Sequence, residues 1–160
     1  MTLGVERAGE GTEVEVVTQD DGEGGSLLGV MIAPEVDLPF EVEFAIENIG
    51  GPSAGLMLAL GIIDILTPGS LTGGQDVAGT GTVDLAGDVG PIGGIQQKMA
   101  GALRDGADWF LAPVENCDEV VGAVPDGLEV IAVDTVGDAV AALEAVAQGS
   151  TTDLPRCPAG

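Results

Sequence analysis

The sequence contains no histidine and no tyrosine, one lysine (Lys98) and three arginines, Arg7, Arg104 and Arg156. Each shortage closes a line of chemistry. Without histidine, a Ser-His-Asp triad cannot form within the chain. An imidazole zinc site is excluded too, and two cysteines are too few for a thiolate one. No metal centre is expected, and no redox cofactor. A base for nucleophilic chemistry has to be a carboxylate or Lys98. Aromatic residues make up only 2%, so the core must be built from Val, Leu, Ile and Ala, and a hydrophobic fraction of 45% supplies enough of them. Basic residues are so few beside 27 acidic ones that the formal net charge is −23. Such a surface repels phosphate backbones and anionic bilayers, so no nucleic-acid partner is expected. Its plain reading is solubility, as in high salt, with a functional acidic patch as the alternative. No apolar run is long enough to span a bilayer: the longest, residues 54–66, falls short of the ~20 residues required. That run is expected to form a buried helix, and any membrane anchor or targeting element is expected to lie outside this chain.

What is present organises into three parts. Residues 1–33 read as a separate β segment: 13–17 alternates acidic and apolar residues, 19–26 is an acidic, Gly-rich turn, and 27–32 is a second apolar strand closed by Pro34. Residues 34–150 read as the main domain and 151–160 as a polar, Pro-containing tail. Within the main domain, Phe40, Val42, Phe44 and Ile46 alternate with polar or small residues over 40–46, a half-buried strand. The apolar helix 54–66 follows and is stopped at Thr67-Pro68-Gly69. Residues 71–93 are short strands and turns. The spacing predicts a helix over 95–105 with Ile95, Met99 and Ala102 or Leu103 as its buried stripe, strands at 109–112 and 129–133, and helices at 115–123 and 135–147, the last capped by Asp134 or Thr135. Strands alternating with helices give an α+β, mixed α/β class. Cys117 and Cys157 form no CxxC motif. Their even number and the Pro-flanked setting of Cys157 fit a disulfide that pins the tail in an oxidising compartment, with two free thiols as the alternative.

Two side chains are candidates for chemistry. Ser53 lies at a strand-to-helix junction between Gly50-Gly51-Pro52 and Gly55, where unpaired N–H groups at a helix start favour developing negative charge. A serine there also reads as a plain N-cap. Lys98 lies at helical spacing from Ile95 and Ala102 and is expected to share their apolar face. Enclosure there disfavours the charged amine and makes a general base. The other reading is a lysine whose stem covers the core.

The stretch Gly51-Pro52-Ser53-Ala54-Gly55, then Gly79-Thr80-Gly81-Thr82-Val83, then Pro91-Ile92-Gly93-Gly94-Ile95-Gln96-Gln97-Lys98, resembles the proteolytic domain of Lon-type proteases, as does Phe110-Leu111-Ala112-Pro113-Val114-Glu115-Asn116. The resemblance covers about residues 40–145. It implies that Ser53 is the acylated nucleophile, that Lys98 is its base and that Thr80 helps orient the lysine by hydrogen bonding. The implied reaction is hydrolysis of peptide or unfolded-protein substrates without a cofactor. Self-association into a ring, commonly of six subunits, is implied as well. Two positions depart from the family pattern: Gly50 and Thr82 stand where many members carry acidic residues. The sequence contains no GxxxxGK[ST] phosphate loop. Residues 1–33 look like the closing strands of a PDZ domain, a combination that resembles the ATP-independent, membrane-anchored and extracytoplasmic PDZ-Lon branch. The competing expectation is a catalytically silent Lon-like domain that binds peptides or serves assembly.

Overall fold

A computed structural model describes residues 1–20, 22, 25–28, 41–43 and 51–158. The chain divides into two compact units, Met1–Ala45 and Ile46–Gly160.

In the first unit, β1 (Thr2–Arg7) and β2 (Glu10–Glu15) form an antiparallel hairpin from Thr2 opposite Glu15 to Arg7 opposite Glu10. Its two-residue turn, Ala8-Gly9, has both φ angles positive, at 54° and 80°. That is the turn geometry whose twist matches the strands it joins. Two short strands, β3 (Gln19–Asp20) and β4 (Ser26–Leu27), also pair antiparallel. The strand expected at 13–17 thus starts earlier and stops at Glu15. The expectation omitted β1, although Leu3 and Val5 carry the same period of two and are half-buried. The expected strand at 40–46, and all of that at 27–32 beyond Leu28, fall largely or wholly outside the described residues.

The second unit is built on a three-stranded parallel sheet of order β5 (Val77–Gly79), β8 (Trp109–Pro113), β9 (Glu129–Val133). Helices cover both faces. On one face, α1 (Gly55–Leu66) and α4 (Val136–Ala147) pack Leu56, Leu60 and Leu143 against Leu111, Ile131 and Val133. On the other, α2 (Ile95–Arg104) and the short α3 (Cys117–Val120) pack Ile95, Met99 and Val120 against Phe110, Ala112 and Val130. Successive residues of β8 and β9 therefore point into different cores. This is why both strands are continuous apolar runs rather than alternating ones. Phe110, Leu111 and Ile131 are essentially inaccessible, and burial of each such side chain contributes about 1.5–3 kcal/mol. A small antiparallel pair, β6 (Thr82–Val83) and β7 (Val89–Gly90), sits between β5 and α2 in the chain.

Helix α4 starts where expected. Thr135 accepts from the Asp138 N–H, and the Asp138 carboxylate accepts from the Thr135 N–H, a reciprocal capping box. The expected helix at 115–123 is shorter, a 3-10 turn at Val114–Asn116 followed by α3. Helix α1 departs from expectation in a different way. Apart from Asp64 it is apolar, yet only Leu56 and Leu60 are buried, and Ile65 is 85% exposed. Only one stripe of a helix faces a single adjoining sheet, so composition alone overstated its burial.

The tail is not a free polar end. Leu154 enters the core. The Ala132 N–H donates to the Pro155 carbonyl at 2.9 Å, and Arg156 pairs with Glu129. Cys117 and Cys157 are joined by a disulfide, so the paired alternative holds.

Candidate active site

Ser53 lies in a 3-10 turn, Pro52–Ala54, immediately before α1. Gly51, with φ 85°, turns the chain into it, and Pro52 supplies a fixed φ at a position that needs no N–H. Among the described residues no side chain caps the turn or α1, so the plain N-cap reading of Ser53 does not describe this end. The serine backbone is instead tied to the segment after β5. Its carbonyl accepts from the Gly81 N–H at 3.0 Å and from the Thr80 hydroxyl at 2.9 Å, and the Leu56 N–H donates to the Gly81 carbonyl at 3.1 Å.

Thr80 is 1% exposed and its own N–H donates to the Leu111 carbonyl at 3.1 Å. The glycines on either side permit this approach. A Cβ at residue 79 would lie 2.9 Å from the Leu111 Cβ, and one at residue 81 only 2.7 Å from Val89 Cγ1. The hydroxyl proton of Thr80 is therefore directed at the serine main chain. Thr80→Val should lower stability by about 1 kcal/mol, because the Ser53 carbonyl loses its buried hydroxyl donor. Thr80→Ser should recover most of it. Thermal melts of the two variants check this, and equal loss in the Val and Ser variants would count against a hydroxyl role.

Lys98 is brought to the serine. Its Nζ lies 3.4 Å from Ser53 Oγ, at the outer edge of hydrogen-bonding distance. All three residues singled out from sequence therefore come together. The setting of the lysine differs from expectation. Ile95 and Met99 are fully buried, but Lys98 is exposed. At 3.6 residues per turn it lies about 60° round the helix from Ile95, on the side away from Met99, so it borders the buried stripe instead of joining it. Among the described residues the enclosure assumed from spacing is absent.

Of the two positions that depart from the family pattern, Gly50 lies outside the described residues. Thr82 is in β6 opposite Gly90. One residue near the site was not distinguished from sequence. Asn116, 2% exposed, accepts from the Ile92 N–H at 3.0 Å through Oδ1, and through Nδ2 donates to the Ile92 carbonyl and to Glu119 Oε1, both at 2.9 Å. Its signal was faint: a lone amide after an apolar strand reads as an ordinary turn residue.

A family profile described as the Lon protease (S16) C-terminal proteolytic domain matches residues 44–145. The chain is 41% identical over 92 residues to a Lon protease of Azospirillum brasilense, covering 55% of this chain and 11% of that protein. It is 39% identical over 95 residues to one from Rhizobium meliloti, covering 57% and 11%. A longer match, 34% identical over 129 residues to a Lon protease of Nitratidesulfovibrio vulgaris, covers 76% of this chain and 16% of that protein. The chain thus spans a small fraction of the length of these relatives.

Proposed function

This chain belongs to the Lon protease (S16) C-terminal proteolytic domain family, and from that premise we propose that it is a serine endopeptidase working through a Ser53–Lys98 dyad. The observation that carries this reading is the 3.4 Å separation of Lys98 Nζ from Ser53 Oγ in a chain without histidine. In the proposed cycle Lys98, as the neutral amine, takes the Ser53 hydroxyl proton while Oγ attacks the scissile carbonyl carbon. The tetrahedral adduct collapses, the C–N bond breaks, and Lys98 returns the proton to the departing amine. Water then attacks the resulting ester, its proton passing to Lys98 and on to Ser53 Oγ as the acid product leaves. Thr80 holds the serine main chain still during both steps. Because Lys98 is exposed, the bound peptide itself supplies the cover that excludes water.

The substrate is a peptide or unfolded protein. Hydrolysis by this chain proceeds without ATP, a reading supported by its lack of a phosphate-binding loop. An extracytoplasmic setting is supported by the Cys117–Cys157 disulfide. Residues 1–33 are the closing strands of a PDZ-like module, consistent with two antiparallel strand pairs. Residues 34–150 form the proteolytic domain and 151–160 its tail. Assembly as a ring, the six-membered one common in the family, and a membrane anchor outside this chain complete the proposal.

The test is cleavage of casein and of a quenched peptide library without nucleotide. The natural chain is expected to cleave both, and Ser53→Ala neither. Equal cleavage by the two proteins refutes the nucleophile. No cleavage by either, in a folded protein that also resists acylation by a serine-directed reagent, leaves the silent-domain alternative.

A further inference from the structure

Among the described residues the buried polar side chains are two, Thr80 and Asn116. A buried polar group is costly unless its hydrogen bonds are made, so each of these two has a structural partner worth identifying. Thr80 holds the Ser53 carbonyl. Asn116 does the equivalent on the lysine side. Its amide meets both main-chain groups of Ile92, accepting from the N–H and donating to the carbonyl. In effect it pairs with that residue as a neighbouring strand would.

Ile92 is in the turn that enters α2. Two residues later Gly94, with φ 72° and ψ 34°, occupies the N-cap position, and the Lys98 N–H closes the first helical bond onto the Gly94 carbonyl at 3.2 Å. A second tie runs parallel to the first. Gln96 Nε2 donates to the Glu119 carbonyl at 2.9 Å, while Glu119 Oε1 accepts from Asn116. The start of α2 is therefore fastened to the segment after β8 at two points, and Lys98 projects from the turn so fastened. The Nζ–Oγ separation is 3.4 Å. A drift of about an ångström in the helix start would take it beyond hydrogen-bonding reach.

We propose that Asn116 is a positioning residue for Lys98, setting through the Ile92 main chain where α2 begins and so whether the amine reaches Ser53. This rests on the dyad reading above, and the test separates the two. Lys98 is the single lysine in the chain, so incorporation of 13C-lysine gives one Cε resonance, readable with or without turnover. In the full 160-residue chain, Ser53→Ala is expected to displace that resonance. In an Asn116→Leu background the same substitution is expected to displace it by less than about a third as much, while the methyl spectrum of the core stays native-like. The kinetic counterpart is a fall in kcat of about thirtyfold with KM little changed.

Asn116→Asp provides the gentler variant. It keeps the acceptor for the Ile92 N–H but sets a carboxylate against Glu119 and the Ile92 carbonyl. Its defect in both readouts should be partly restored by adding Glu119→Gln, which returns a donor. If Ser53→Ala displaces the lysine resonance equally in the natural and Asn116-substituted backgrounds, Asn116 does not position the lysine, and the dyad stands. If Ser53→Ala leaves that resonance unmoved in the natural chain, the dyad contact itself is absent and both readings fall.

Discussion

Lys98→Ala is expected to lower peptide cleavage by about a thousandfold, the upper range for loss of a general base, while leaving the fold almost untouched. The two halves of this expectation have separate causes. The catalytic half follows from scarcity: no histidine exists and Lys98 is the single lysine, so the chain has no second side-chain amine to replace it. The folding half follows from exposure. Lys98 is solvent-accessible, and its contact to Ser53 Oγ is long. Substitutions at such surface positions usually change stability by within about 0.5 kcal/mol. Lys98→Arg should fail equally, because a guanidinium remains protonated and cannot accept the serine proton. Steady-state cleavage of a quenched peptide, measured beside thermal melts of each variant, decides the matter. An arginine variant with near-natural activity would falsify the base assignment, since it would show that positive charge alone suffices.

The second large effect concerns the disulfide. Replacing Cys117 and Cys157 together by serine should cost roughly 4 kcal/mol, as expected for opening a loop of about 40 residues by the chain-entropy account. For a unit of this size that corresponds to a melting point lower by roughly 15 °C. The loop contains β9 and α4, so the cross-link restrains most of one core in the unfolded chain. Thermal melts of the oxidised natural protein and the double variant give the comparison. A difference below about 1 kcal/mol would mean that the tail is held by its other contacts alone.

Much of the second unit was legible because its residues are arranged by local rules. The runs at 109–112 and 129–133 are short, apolar and bounded by polar or glycine-containing turns, which leaves a buried strand as the economical reading. Thr135 and Asp138 stand at capping-box spacing before a helix. The proposed pairing of Ser53 with Lys98 was reached by a different route, elimination, because a chain without histidine leaves few bases. What escaped depended on distance in space. Spacing placed Lys98 near Ile95 but did not tell the centre of a stripe from its edge, and enclosure was wrongly expected. The apolar composition of α1 gave no sign that Ile65 faces solvent. Thr80 came only from family resemblance, and the partner of its hydroxyl, the Ser53 carbonyl, is 27 residues away. Asn116 meets Ile92 across 24 residues, and no periodicity marks such a pair.

The seating of the tail bears on how the molecule behaves in a crowded solution. Among the described residues β9 is the outer strand of the order β5-β8-β9, and an unpaired outer strand is a template for another chain. Here Ala132 gives its N–H to Pro155, and the Val130 carbonyl receives a bond from Arg156 at 3.3 Å. A segment flanked by prolines thus occupies the edge while offering little for further strand pairing. The cross-link fastens that cover in place. The net charge of −23 opposes nonspecific aggregation at low ionic strength, but screening shrinks that repulsion to within about 10 Å at 0.1 M salt. Under those conditions the covered edge becomes the remaining guard. Light scattering of the double cysteine variant should therefore rise with added salt before the core melts, while the oxidised protein stays dispersed. The bond between Cys117 and Cys157 would then act as a colloidal safeguard as much as a conformational one.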